Sequence, residues 1–333
     1  MTARRLGSPS RAPSEAPLGI GGTRTSLAIT TWNTRALFAS NPSHAVAREK
    51  QLRDIVIDSD IIALQETHGN NTAAAKLISS NNKTHEGFFS GHSDQATGGC
   101  ILLIRIRLLG LGQLTQHSIL LPGRAQQVRA SLGGVSITVI NVHNEAVNRL
   151  QKRRLHQAID RATRHAAADL SGASFVILLG DFNFVPLGEC PLRLPPRADF
   201  ALVPAPASVA EARRWRDVLC PSTEIDQDAP TRVGPVGTAL APAMIGSRID
   251  RIYVSLPPWA LVQLSATCRL SVSAESFYTS QLSDHAPLRA SLRTKPPLPQ
   301  HLRPIPRWIT EHPIFADTCA ALAVRCGHVG LPP

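Results

Sequence analysis

The chain reads as an α/β protein built as a layered sandwich, and three observations point there. Segments with the two-residue period of strands first alternate with helical patterns and later follow one another directly. Several apolar runs are continuous enough to be buried on both faces. Many of those runs end at once in a carboxylate, an amide or an imidazole.

Taken in order, residues 27–32 alternate as a strand that ends at Asn33. Residues 43–57 read as a helix capped by Ser43, with Leu52, Ile55 and Val56 on one face. Residues 60–66 form a second buried strand closing on Glu66, and Thr67-His68-Gly69 turns after it. Residues 72–80 make a short helix or a loop. Gly98 and Gly99 allow a close backbone approach into a third strand that runs through Ile104. Residues 126–131 and 135–142 pair as a hairpin about Gly133-Gly134, and the second strand ends at His143. Residues 145–170 form the longest helix, with Val147, Leu155, Ile159, Ala162 and Ala166 near helical spacing. Its Lys152, Arg153, Arg154, Arg161 and Arg164 form a solvated face within reach of a phosphate backbone.

The next stretch organises the rest. Residues 175–179 are apolar, Gly180 ends the run, and Asp181 and Asn183 follow. On an extended backbone Asp181 and Asn183 share one side and Phe182 turns away. Gly, Asp and Asn are also turn residues, so a plain turn stays open at this point. Residues 186–245 are rich in Pro and Ala and read as a long surface excursion, with one helical piece at 209–219. Asp250 then heads a strand to Val254, residues 267–272 add another, and Ser283-Asp284-His285 precedes a last strand through Leu292. The domain spans 27–293, with a disordered leader at 1–26 and a Pro-rich linker or tail at 294–333. No segment has the apolar stretch of a secretory signal or the length of a membrane span.

The apolar fraction of 43% supports a sizeable core, and with aromatics at 5% that core must be aliphatic. Net charge is +11 and the pI about 10.1, which points to a polyanionic partner, nucleic acid or an anionic membrane surface. None of the six cysteines forms a CxxC pair. That argues against a structural zinc site, and scattered thiols fit a reducing intracellular compartment.

The polar residues at strand ends are Asn33, Glu66, His143, Asp181, Asn183, Asp250, Asp284 and His285. Any one of them fits a solvated strand end. Together they supply carboxylates, two amides and two imidazoles, with no thiolate set and no trio of histidines. Such donors suit Mg²⁺ or Mn²⁺ better than Zn²⁺.

The segments Thr31-Trp-Asn33, Leu64-Gln-Glu66-Thr-His68, Asn141-Val-His143, Gly180-Asp-Phe-Asn183, Ser247-Arg-Ile-Asp250 and Ser283-Asp-His285-Ala-Pro resemble, in order, the endonuclease/exonuclease/phosphatase superfamily. LQETH, GGCILLI, SRIDRIYV and SDHAPL look most like the endonuclease domain of non-LTR (LINE-type) retrotransposons. The tail from Arg303 to Phe315 is similar to the connector before a reverse transcriptase, which implies such an enzyme downstream in a longer polyprotein. The resemblance implies a DNase I-like four-layer αββα sandwich, two packed and mainly antiparallel β-sheets flanked by helices. It implies Mg²⁺-dependent phosphodiester hydrolysis, with target DNA nicked for retrotransposon integration, DNA as partner, no membrane and a nuclear location.

By position, the resemblance makes Glu66 the metal ligand, with Asn33 and Asp284 in the metal network. Asp181 would orient or deprotonate water, and Asn183 would hold that water or a phosphate oxygen. His285, oriented by Asp250, would contact the scissile phosphate, and His143 would donate to the phosphate or to the leaving oxygen. Some abasic-site members carry an acidic residue where Arg35 stands, so an abasic-repair reading weakens. Arg35, with Ser247 and Arg248, would face the substrate. Two rivals remain: a same-fold phosphodiesterase or phosphatase for lipid, inositol phosphate or RNA, and a catalytically decayed binding module. No expected site residue is missing.

Overall fold

The computed structural model describes residues 26–38, 42–109, 115–132, 135–169, 171–184, 192–193, 209–227, 229–238 and 241–294, with positions 312, 314, 315, 317 and 319. The order begins β1 (Ser26–Asn33), α1 (Pro42–Asp58), β2 (Ile61–Gln65), α2 (Asn71–Asn81), β3 (His85–Ser90), β4 (Cys100–Arg105) and α3 (Ile106–Leu109). It continues with β5 (Gln116–Leu121), β6 (Ala125–Leu132), β7 (Val135–His143), α4 (Arg149–Ala168), β8 (Ser174–Asp181), β9 (Leu192–Arg193), α5 (Val209–Leu219) and β10 (Thr223–Glu224). It closes with β11 (Arg232–Thr238), β12 (Ala241–Ser247), β13 (Asp250–Ser255), α6 (Pro258–Val262), β14 (Leu264–Leu270), α7 (Ala274–Thr279) and β15 (Leu288–Thr294).

Two six-stranded sheets result, ordered β14-β15-β1-β2-β4-β3 and β10-β13-β8-β7-β6-β5. Both are mixed: β1–β2 and β7–β8 are parallel, and every other pairing in them is antiparallel. A parallel pair needs a long crossover, and α1 and α4 supply it. In each sheet the carboxyl ends of the two central strands therefore lie side by side, which brings Asn33 next to Gln65 and His143 next to Asp181.

Side-chain alternation sets the layers. Leu27, Ile29, Ile61, Ala63, Val139, Phe175, Ile177 and Leu179 meet between the sheets. Val176, Leu178 and Phe182 face α4 and α5, while Trp32, Ile62 and Leu64 face α1 and α7. The sandwich is thus four layers deep. Near one rim the inter-sheet core turns polar: Gln65 Nε2 donates to Asn141 Oδ1 (2.7 Å), and Asn141 Nδ2 donates to the carbonyls of Leu64 and Ile101 (both 3.1 Å). This bridge ties the two sheets together below the strand ends without leaving a buried amide unpaired.

Two glycines are needed where the backbone crowds. Gly180 has φ +140, and a Cβ there would lie 1.9 Å from the Val142 carbonyl oxygen. Gly99 has φ +87, and a Cβ there would lie 2.6 Å from Thr67 Oγ1. The Gly99 carbonyl accepts from Thr67 N (3.1 Å), so this close approach holds the turn that follows Glu66.

Several expectations need correction. α1 begins at Pro42, so Ser43 lies in its first turn and is not its cap. α4 begins at Arg149 rather than 145; Asn148 and Gln151 form a capping box, an Asn-x-x-Gln signal legible in the sequence. The strands β3 and β5 were not expected. The stretch 186–245 is not a bare excursion: it holds α5 and a small sheet of β9, β11 and β12. Gly133-Gly134, the leader except for Ser26, and nearly all of the tail lie outside the described residues.

Candidate active site

The strand ends at the polar rim converge. Asn33 Nδ2 donates to Glu66 Oε1 (2.8 Å) and to Asp181 Oδ2 (2.9 Å), so one amide spans carboxylates from both sheets. Asn33 Oδ1 accepts from Arg35 N (3.1 Å), so both ends of this side-chain amide are engaged. Glu66 sits at φ +48, and Arg35, Ala36, His68 and Asn183 also have positive φ. Non-glycine residues in this region cost on the order of 1–3 kcal/mol each, and they cluster where surrounding structure over-determines them.

His143 is fully buried and holds Glu66 from the second sheet, with Nε2 3.0 Å from Glu66 Oε1 and 3.2 Å from Glu145 Oε2. Its Nδ1 faces Arg124 Nη1 at 2.8 Å. Arg124 is a permanent cation that can only donate, so it selects the tautomer with the proton on Nε2. Burial disfavours the charged ring; Glu145 and Glu66 outweigh it and raise the proton affinity of His143. For Glu66, burial pulls its carboxyl upward, but the His143 hydrogen bond and charge, with Asn33, hold it well below the usual range.

On the other side His285 Nδ1 is 2.8 Å from Asp250 Oδ2, both deeply buried. Burial would lower the imidazole, but the charge and hydrogen bond of Asp250, with Asp181 and Asp284 nearby, push it up to about 9. Its Nε2 lies 3.9 Å from Asp181 Oδ2, beyond a hydrogen bond and close enough for one oxygen atom to bridge. Asp250 and Asp181 are register partners across β13 and β8. Burial raises the Asp181 carboxyl to about 6, with His285 opposing and the Asp250 charge adding. The loop carrying His285 is docked on β1: Trp32 Nε1 donates to the His285 carbonyl (3.1 Å), and Ser283 Oγ donates to the Asn33 carbonyl (2.9 Å).

The remaining expected residues fall as follows. Asn183 lies beyond the end of β8, exposed, and its N donates to Asp181 Oδ1 (2.8 Å). Of the extended strand and the turn left open there, the backbone takes the turn, and that turn orients the Asp181 carboxylate. Asp284 is buried, with Oδ2 3.2 Å from both Arg35 and Arg232, so it is joined to two cations rather than to Glu66. Ser247 offers its carbonyl to Thr231 N (3.0 Å), and Thr231 Oγ1 in turn accepts from Asp250 N (3.1 Å). Arg248 turns to Glu224 and Asp226 (2.9 Å each) rather than into the cluster. Arg124, Glu145, Arg232 and Thr231 were not singled out from sequence, yet each touches a site residue.

Two trios come close enough to share a cation, Glu66–His143–Asp181 and Asp181–Asp250–His285. In the second, Asp250 Oδ2 is taken by His285 Nδ1 while Oδ1 has no hydrogen-bond partner, and the raised imidazole favours its charged form, which disfavours a cation beside it. In the first, both nitrogens of His143 are engaged, which leaves carboxylate oxygens of Glu66 and Asp181 spanned by Asn33. That is a hard oxygen set and fits a divalent cation such as Mg²⁺ or Mn²⁺.

A two-sheet sandwich with carboxylates, an amide and two imidazoles at one rim defines a class of fold built to act on phosphate esters. The chain belongs to the endonuclease/exonuclease/phosphatase family, whose model matches residues 30–285. Solved structures agree on the fold. The AP endonuclease LMAP from Leishmania major is 14% identical at a TM-score of 0.57, covering 81% of this chain and 88% of that one. D. rerio TDP2 complexed with a single-strand DNA product is 14% identical at 0.53, covering 81% and 100%. A Neisseria 3′ phosphatase bound to a product DNA hairpin is 23% identical at 0.51, covering 79% and 98%. Among curated proteins the search found no match.

Proposed function

We propose that the chain is a divalent-cation-dependent DNA endonuclease that nicks target DNA in the manner of a LINE-type retrotransposon, with a reverse transcriptase downstream in a longer polyprotein. The observation that carries the chemistry is the pairing of a buried carboxylate at about 6 with an imidazole at about 9, 3.9 Å apart. Near neutral pH the first is a base and the second an acid, which is the division of labour hydrolysis needs. The LINE-like spelling of LQETH, SRIDRIYV and SDHAPL and the +11 charge support DNA as the substrate.

In this reading Asp181 takes the proton of the attacking water. The Asn183 amide hydrogen fixes one Asp181 oxygen and the Asn33 amide the other, so the base cannot rotate. His285 donates from Nε2 to a non-bridging phosphate oxygen as charge builds, and Asp250 keeps the ring charged and aimed. Glu66, braced by His143 and Asn33, would hold the cation with Asp181. When bound, that cation supplies charge neutralisation at the scissile phosphate.

The test is incubation of supercoiled plasmid with the purified chain. Open circles should form with Mg²⁺ and none in chelator. Equal cleavage in both removes the metal mechanism. Intact plasmid alongside turnover of bis(4-nitrophenyl) phosphate moves the substrate away from DNA. Glu66→Ala should raise the Mg²⁺ needed for half-activity, whereas Asp181→Ala should lower turnover by roughly three orders of magnitude or more even at saturating Mg²⁺.

A further inference from the structure

Much of the excess positive charge lies away from the rim. α4 carries six Lys and Arg residues against one acidic residue, while α1, on the opposite outer layer, carries three of each. At about 100° per residue, Arg149, Arg153, Arg154, Arg161 and Arg164 fall within an arc of roughly 140° opposite Leu155, Ile159, Ala162 and Ala166. All five are exposed. Arg164 pairs with Asp160 (2.6 Å); the other four have no ion-pair or hydrogen-bond partner among the described residues.

The neighbouring helix extends this face. Lys152 Nζ meets Glu211 Oε1 at 2.6 Å, and the His156 and Trp215 rings meet at 4.4 Å, so α4 and α5 lie side by side and run the same way. α5 adds exposed Arg213 and Arg214, likewise without an ion-pair or hydrogen-bond partner among the described residues. Among the other described residues arginines are mostly paired, as with Arg105 on Asp60, Arg232 on Asp284 and Arg289 on Asp58. Unneutralised arginines without apolar surroundings suit phosphate, which guanidinium recognises bidentately.

Building on the reading that DNA is the substrate, we propose that the outer face of α4 and α5 is a second DNA-binding surface, which holds the backbone of a duplex segment other than the one at the catalytic rim. α4 follows β7 and leads away from His143 down the side of the sandwich. The stripe from Arg149 to Arg164 is about 22 Å long at 1.5 Å per residue, the length of about six steps of duplex at 3.4 Å. Because β7 ends at the rim and α4 is the crossover back to the start of β8, the stripe leads from the rim towards the opposite end of the sheet, which suits a segment separate from one held at the rim.

The test removes charge without touching the rim. In chelator, so that DNA stays intact, affinity for a 40-base-pair duplex is measured against salt for the whole chain. The comparison is a variant with Arg149→Gln, Arg153→Gln, Arg154→Gln and Arg161→Gln. A control removes four charges from the opposite layer: Lys50→Gln, Arg53→Gln, Lys76→Gln and Lys83→Gln. The α4 variant should bind roughly ten- to a hundredfold more weakly at 0.1 M salt, with the log–log salt slope reduced by about 3. The control should lose far less, and a four-fold Arg→Lys variant on α4 should keep most of the slope. Equal losses in α4 variant and control, or an unchanged slope in the α4 variant, overturn the surface. So does lost binding to phosphatidylserine vesicles with unchanged DNA affinity. A wild-type chain that binds with the expected slope but never nicks would sink the catalytic reading and leave this surface standing.

Discussion

His285 and Asp250 are one unit at the scale of the residue. The 2.8 Å contact is buried on both sides, so either partner alone leaves an unpaired group in the site. His285→Ala, Asp250→Ala and the double variant should show similar losses of nicking, with DNA affinity mostly kept; losses that multiply would show two independent groups. The pH profile follows from the same pair. Asp181 must be ionised, and its carboxyl lies at about 6 without a cation, so activity in Mg²⁺ should rise at a pH below that; His285 must be protonated, so activity falls through about 9. A bound divalent cation near Asp181 moves the acid limb downward. Asp250→Asn should shift the alkaline limb towards neutrality; an alkaline limb that stays near 9 would break the link to His285.

Asn33, Glu66, His143 and Asp181 were legible because an apolar run stops abruptly at each, and Asp250, Asp284 and His285 because one starts just after them. Arg124 and Glu145 were not singled out, since their importance depends on what lies across a sheet. A signal did exist for one: the register of the β6–β7 hairpin, continued one step, sets Arg124 opposite His143. At Asn183 the sequence left strand and turn open, and the turn is what forms, because two-residue alternation holds only while the backbone stays extended and β8 ends at Asp181.

For single elements, β8 is the most constrained. Its apolar run packs on both faces, with Leu179 between the sheets and Leu178 towards α4. Its glycine is required by the neighbouring strand. Gly180→Ala pushes a methyl group into the Val142 carbonyl and should cost several kcal/mol or abolish folding; a loss below about 0.5 kcal/mol in denaturant titration would show that β7 and β8 separate easily. Phe182 sits fully buried against Trp215 and Tyr253, both at 5.3 Å. Phe182→Ala should cost about 3–5 kcal/mol and weaken nicking through the adjacent Asp181. Helix boundaries were the weaker part of the sequence reading, because caps are decided by one or two side chains. The small sheet within 192–247 escaped because its Gly- and Pro-containing strands lack the usual strand signature.

For the molecule as a whole, the sandwich is closed by its ends. β1 and β15 are register partners from Ser26↔Arg293 to Thr31↔Leu288, although nearly the whole domain separates them in sequence. Pairings this distant close slowly, because a long loop must be ordered before any contact rewards it. β1 also receives Ser283 and His285 from the segment just before β15. A chain truncated after residue 286 keeps all the strand-end residues, yet it should melt lower and nick nothing; a truncated chain with near-normal activity would show that β15 is dispensable. The consequence concerns timing on the ribosome. Asn33 and Glu66 are made early and His285 late, so a half-made chain carries an incomplete site. On the proposed reading, the protein would be harmless until β15 emerges and seats beside β1.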